Sequence, residues 1–203
     1  MDFFSGRSSI ISSDIFDLKY NGIPPEQGLL LVSEPFIEGS IFSHSVVLLV
    51  EHNDQGSFGF ILNKPENRRI YGLPEEFKNF DMRLFRGGPV EQMHLFFIHT
   101  YGKLLEDSHK VKGNLYHGGD FYQLRTCVAK GLIDTNNIVF FSGYAGWEAG
   151  QLEDELQNDF WAVVNLDNEK IIGEGRNLWK WAVRALGGKY YVWQHFLEQA
   201  SLN

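Results

Sequence analysis

From residue 29 onward the chain is punctuated by short, dense apolar runs: Leu29 to Val32, Val46 to Val50, Phe58 to Leu62, Leu95 to Ile98, Ile138 to Phe141 and Trp161 to Val164. Each run has the length of a strand and is rich in Val, Ile and Phe. None alternates with polar residues as a one-sided sheet would, so the pattern predicts strands covered on both faces. Between the second and third runs, Asn53-Asp54-Gln55-Gly56 favours a tight reversal, because Asn and Asp hydrogen-bond local backbone and Gly accepts positive φ. Pro65 lacks a donor and restricts Lys64, which ends the second hairpin strand near Asn63. Residues 66 to 84 read as a loop with a short helix around Glu75 to Phe80.

Helical periodicity predicts three further elements. Asp120 is a good N-cap with Gln123 three positions on, the stripe Phe121, Leu124, Val128 follows, and Gly131 suits a left-handed stop. A second helix runs from about Ala149 to Asn158, with Leu152, Leu156 and Phe160 on its buried side. The third lies between Asn177 and Gly187, with Leu178, Trp181, Ala182 and Ala185 facing inward at spacings of three and four. Ile10, Ile11, Ile15 and Leu18 suggest a short amphipathic helix ended by Pro24-Pro25, and residues 190 to 200 suggest a terminal one. Three early strands lack full helices between them, while later strands alternate with helices. That order argues against a doubly wound fold and for an α+β fold with a mixed, strongly curved sheet flanked by helices.

Composition narrows the function classes. At 203 residues, with 43% apolar and 15% aromatic residues, the chain has enough non-polar surface for one sizeable core. We expect a single domain over 1–203, with 1–24 as a peripheral N-terminal extension. A formal charge of −8 repels phosphate backbones and anionic headgroups, which disfavours direct nucleic acid or membrane binding. The single cysteine, Cys127, excludes an intramolecular disulfide and fits a reducing compartment. No signal-peptide core follows Met1, and no apolar run reaches the roughly 18 to 20 residues of a membrane span, so the expected location is cytoplasmic.

Several segments together carry a resemblance: Gly28-Leu29-Leu30-Leu31-Val32, Ser45 to Asn53 (SVVLLVEHN), Gly59 to Pro65 (GFILNKP), Arg86-Gly87-Gly88-Pro89-Val90 and Gly143 to Leu152 (GYAGWEAGQL). In this order and spacing the chain resembles the YqgE/AlgH family over a core of residues 28–190. The resemblance implies a cytosolic bacterial protein whose bent sheet closes into a pseudo-barrel. One branch of the family carries the name of a transcriptional regulator; no catalytic residue is carried over.

Candidate chemistry concentrates in three polar loops. Ser142-Gly143-Tyr144-Ala145-Gly146-Trp147 is read as linking a strand to a helix, where free N–H groups could hold an anion, although the Walker lysine is missing and Glu148, Glu153, Asp154 and Glu155 lie near. The plainer reading is a sharp structural turn. Arg86-Gly87-Gly88 could form a backbone nest beside a guanidinium, or a tight loop with a solvated Arg. Asn63 closes its strand and most simply caps backbone groups. The candidate ligand site is their convergence: Asn63, Arg86, Gly87, Gly88, Ser142, Gly143, Gly146 and Trp147, taking either an anionic small molecule or a protein partner. A hydrolase or transferase working near Arg86 and Ser142 is the competing class, and Phe140 stands where a nucleophile elbow needs its first glycine. Glu51 and His52 point to opposite faces of a strand, and His44, His94, His109 and His117 lack metal-ligand spacing. No metal or cofactor is expected. Cys127 reads as a small buried hydrophobe.

Overall fold

The computed structural model describes residues 20–35, 40–66, 74–173 and 177–193. Their strands are β1 (Leu30–Ser33), β2 (Val46–Asn53), β3 (Gly56–Ile61), β4 (Leu84–Arg86), β5 (Val90–His99), β6 (Ser108–Lys112), β7 (Leu115–Gly118), β8 (Ile138–Glu148) and β9 (Trp161–Val164). The helices are α1 (Phe121–Ala129), α2 (Gln151–Gln157), α3 (Asn168–Gly173) and α4 (Leu178–Leu186). Hydrogen bonding orders the sheet β6-β7-β5-β8-β3-β2-β1-β9, with β4 added parallel to β8 and every other pairing antiparallel. The fold class is therefore the expected α+β, a mixed curved sheet with helices. The amphipathic segment at Ile10 to Leu18 and most of the expected terminal helix lie outside the described residues.

Every strand run anticipated from apolar density is present. β1, β9 and the first five residues of β2 are buried on both faces, as continuous runs require. One face is filled by Leu30, Val32, Leu48, Phe60, Phe141 and Val164 together with Val111 of β6 and Leu115 of β7, packed under Leu178, Trp179, Ala182 and Val183 of α4. Strands from both ends of the order share that cluster, so the sheet curls around α4. Among the described residues it does not close by a ladder. Side chains span the gap instead: Lys112 of β6 donates to the Asn165 side chain and to the Leu166 carbonyl (3.2 Å) just after β9, and Asn168 donates back to the Lys112 carbonyl (3.0 Å). The pseudo-barrel is thus a curved open sheet joined at its seam by side chains.

The other face carries two cores. Leu31, Val47, Ile61, Trp147, Trp161 and Val163 pack against Leu152 and Leu156 of α2. Phe97, Ile138 and Phe140 pack against Leu124 and Cys127 of α1, which leaves the thiol buried as anticipated. Asp120 caps α1 by accepting from the Gln123 amide at 2.8 Å.

Two helix faces differ from the periodicity reading. α4 buries Leu178, Trp179, Ala182 and Val183, whereas Ala185 is exposed and Trp181 is half-buried beneath the Lys170 ammonium (4.4 Å) and the Arg184 guanidinium (5.5 Å). Phe160, past the end of α2, is exposed. Glu75–Phe77 forms a single 3-10 turn where a short helix was expected.

The largest correction concerns residues 143 to 148. They are not a strand-to-helix turn but the second half of β8, which continues to Glu148 and pairs with β3 from Gly59↔Ala145 to Gly56↔Glu148. Gly143, at φ 70°, is a kink inside the strand. Val139 and Tyr144 face the α4 core, while Ala145 and Trp147 face α2. Strict alternation from residue 139 would reverse those assignments, so the left-handed glycine resets the parity. Opposite it, β5 runs from Val90 to Leu95 while β8 moves only from Tyr144 back to Ser142, and residues 91 to 94 bow outward.

Candidate functional site

Glycines 87 and 88 exist for backbone contact. A Cβ on Gly87 would lie 2.1 Å from the Gly143 carbonyl oxygen, and one on Gly88 would lie 2.0 Å from the Tyr144 carbonyl. The Gly87 N–H donates to the Ser142 carbonyl (2.9 Å), and its own carbonyl accepts from Ile61 (2.8 Å). That amide is committed, so Gly87 does not belong to an anion nest. The close approach instead locks β4 onto β8 with Arg86 opposite Ser142.

Arg86 lines a cleft of about 660 Å³ with Ser40, Ile41, Lys64, Glu66 and Gln92. Its Nε–H is buried and, among the described residues, has no hydrogen-bond acceptor. The Ser142 hydroxyl, on a paired residue of the adjacent strand, is likewise buried without a partner. Lys64 Nζ donates to the Ser43 carbonyl at 2.5 Å, and burial pushes its ammonium below the usual lysine value. His44 is held below the usual histidine value, first by burial and then by the Lys64 charge. Its imidazole Nδ1 lies 3.0 Å from the Ser43 hydroxyl.

Asn63 acts as a clamp. Its side-chain oxygen accepts from the Val46 amide (2.9 Å) and its nitrogen donates to the His44 carbonyl (2.8 Å), which fixes the 43–46 segment beside Lys64. Asn63 thus positions the cleft wall.

Gly146 and Trp147 are not part of this cleft. They line a second one, of about 840 Å³, with Glu51, Phe58, Glu91, Phe96, Tyr144 and Glu148. Gly146 does not have positive φ, and a Cβ there would meet only the Tyr144 ring, at 3.2 Å. The Trp147 indole N–H donates to Glu155 Oε2 (2.8 Å), which also accepts from the Trp161 indole (2.7 Å).

A histidine group that sequence spacing did not single out sits where β5, β6 and β7 meet. His117 pairs with Ile98 and His109, and the His109 ring stacks on it at 5.3 Å. Burial first, then His109 and His99, pushes the His117 imidazole down to about 4. His99 Nε2 lies 2.9 Å from the Gly118 carbonyl and its Nδ1 accepts from the Tyr101 amide (3.0 Å), a pattern that fixes the neutral Nε2–H tautomer. Among the described residues, no three His, Cys, Asp or Glu side chains gather as a metal site would need. No helix of the described residues is long and apolar enough to cross a membrane.

Comparison with known proteins places this architecture. The AlgH-like family model matches residues 30–191. A UPF0301 protein of Parabacteroides distasonis is 37% identical over 193 residues, covering 94% of this chain and 98% of the relative. One from Cytophaga hutchinsonii is 40% identical over 179 residues, covering 87% and 98%. The solution structure of the AlgH protein from Pseudomonas aeruginosa superposes with TM-score 0.65 at 27% identity, over 80% of this chain and 89% of that one. The crystal structure of a Corynebacterium diphtheriae protein shares the fold, with TM-score 0.67 at 21% identity over 91% and 98%. By sequence over most of its length and by fold, the chain belongs to the AlgH-like family.

Proposed function

We propose that this AlgH-like protein is a cytoplasmic, non-catalytic regulatory protein that binds a small carboxylate- or phosphate-bearing ligand in the Arg86 cleft. The observation that carries the reading is the buried Arg86 Nε–H without an acceptor, in a wall shared with the half-buried Lys64 ammonium. A buried donor without a partner is costly, and an anion in the cleft would satisfy it while neutralising two cations. The chain's net charge of −8 supports a small anion over a nucleic acid, whose phosphates need several cations in one patch.

The hydrolase or transferase alternative would use Ser142 as its nucleophile. Such a role needs a base within hydrogen-bonding reach, and the Ser142 hydroxyl has no hydrogen-bond partner. The test is a thermal-shift titration with inorganic phosphate and with succinate. A saturable rise in Tm is expected for the wild type, abolished by Arg86→Ala and reduced by Lys64→Met. No rise, or a rise that survives Arg86→Ala, would refute the anion site.

A further inference from the structure

The second cleft has the opposite chemistry. Its floor is aromatic: Phe58 and Tyr144 lie 4.8 Å apart, Phe96 and Tyr144 5.5 Å, and Phe58 and Phe96 6.3 Å, centroid to centroid. All three rings are half-buried. Three exposed carboxylates stand around them, Glu51 on β2, Glu91 at the start of β5 and Glu148 at the end of β8. Among the described residues, no lysine or arginine lines the cleft.

Beside Glu51 lies a further buried group, outside the lining of the cleft. His117 Nε2 is buried, makes no hydrogen bond and faces Glu51 Oε1 at 3.7 Å, with the Phe58 ring edge-on at 6.0 Å. Burial keeps that imidazole neutral at ordinary pH, so it leaves the Glu51 charge uncompensated. Glu91 has φ 49°, an uncommon conformation for a non-glycine residue, and its carboxylate lies 3.3 Å from His94 Nδ1 on the same bow of β5.

The combination of carboxylates and aromatic rings selects the ligand class. The carboxylates come from three separate strands and, among the described residues, do not gather with other ligating groups into a metal site. An anion is repelled, and a neutral apolar molecule would desolvate three carboxylates without return. A flexible organic cation satisfies both features: separated ammonium groups reach separated carboxylates, and the methylenes between them lie on aromatic faces that also attract cations. We propose that this cleft binds an aliphatic polyamine, with its ammonium groups against Glu51, Glu91 and Glu148 and its chain across Phe58, Phe96 and Tyr144. The site shares no residue with the Arg86 cleft and stands or falls independently of it.

Titration of the full chain with spermidine in about 0.1 M salt, read by calorimetry and by intrinsic tryptophan emission, tests the assignment. The expected result is saturable binding at one site, weakened roughly fivefold or more by Glu51→Gln and by Glu148→Gln. Both positions are exposed, so the variants should fold, and far-ultraviolet circular dichroism checks that they do. Glu169→Gln, on a different cleft, should bind as wild type does. Absence of saturable binding overturns the proposal, as does equal weakening by Glu169→Gln or equal competition by Mg²⁺. If spermidine fails but an oligolysine peptide binds with the same dependence on Glu51 and Glu148, the polyamine is overturned in favour of a basic peptide.

Discussion

Acidification should destabilise this protein through His117 before its carboxylates titrate. His117 is 8% exposed, stacked on His109 and close to His99, so its protonated form is disfavoured in the folded state. In the unfolded chain it regains the ordinary value near 6.5. Between pH 6.5 and about 4 the unfolded state therefore binds the extra proton, and stability falls as pH falls through that window. The interval of about 2.5 pH units, at about 1.4 kcal/mol each, caps the effect at ~3.5 kcal/mol. The half-exposed Glu51 carboxylate, 3.7 Å away, favours the protonated form and trims the expectation to about 2 kcal/mol. His99, lowered by burial, acts in the same direction. Urea denaturation of the wild type and of His117→Phe from pH 7.5 to pH 4.5 is the assay, because Phe keeps an aromatic ring against Phe58 and cannot titrate. The difference in unfolding free energy between the two proteins should change by about 2 kcal/mol across the window, with the variant gaining relative stability at low pH. Parallel pH profiles for the two proteins would refute the assignment of the slope to His117.

Two further outcomes test the packing that shapes the clefts. Gly87→Ala should destabilise by about 2 to 4 kcal/mol, since its Cβ would lie 2.1 Å from the Gly143 carbonyl oxygen and only backbone movement relieves the contact; chemical denaturation measures it, and a loss below about 0.5 kcal/mol would mean that β4 and β8 are not held in contact there. Glu155→Leu should cost about 2 to 4 kcal/mol and alter tryptophan emission, because it strands the indole N–H groups of Trp147 and Trp161, both buried and both bonded to one carboxylate oxygen; unchanged stability would show that water replaces Glu155 as their acceptor.

What the sequence made legible follows from where burial is two-sided. β1, the first five residues of β2, the last three of β3, the first half of β8 and β9 announce themselves because both of their faces pack, which forces continuous apolar runs. β6 and β7 do not. Ser108–Lys112 buries only Val111, and Leu115–Gly118 buries Leu115 and His117, so a polar hairpin hides two strands and the histidine group with them. In α4, the sequence LWKWAVRAL supports two apolar stripes one residue apart, and Lys170 and Arg184 over Trp181 decide which one faces out.

The candidate site was legible as residues and misread as geometry. Glycines at 87, 88, 143 and 146 suggested loops open to an anion, yet three of them serve backbone contact or a strand kink, and their effect on ligand chemistry is indirect. Because Gly87 and Gly88 let β4 press on β8, Arg86 is held in the wall of one cleft. Because Gly143 resets the parity of β8, Tyr144 turns towards Phe58 and Phe96 and forms the floor of the other. The bow of β5 between Val90 and Leu95 places Gln92 at the first cleft and Glu91 at the second. No contiguous motif encodes that second cleft, since Glu51, Phe58, Glu91, Phe96, Tyr144 and Glu148 come from four strands and meet only once the sheet has curled. The chemistry of this chain is therefore carried by sheet register, which a single sequence expresses only through the glycines that permit it.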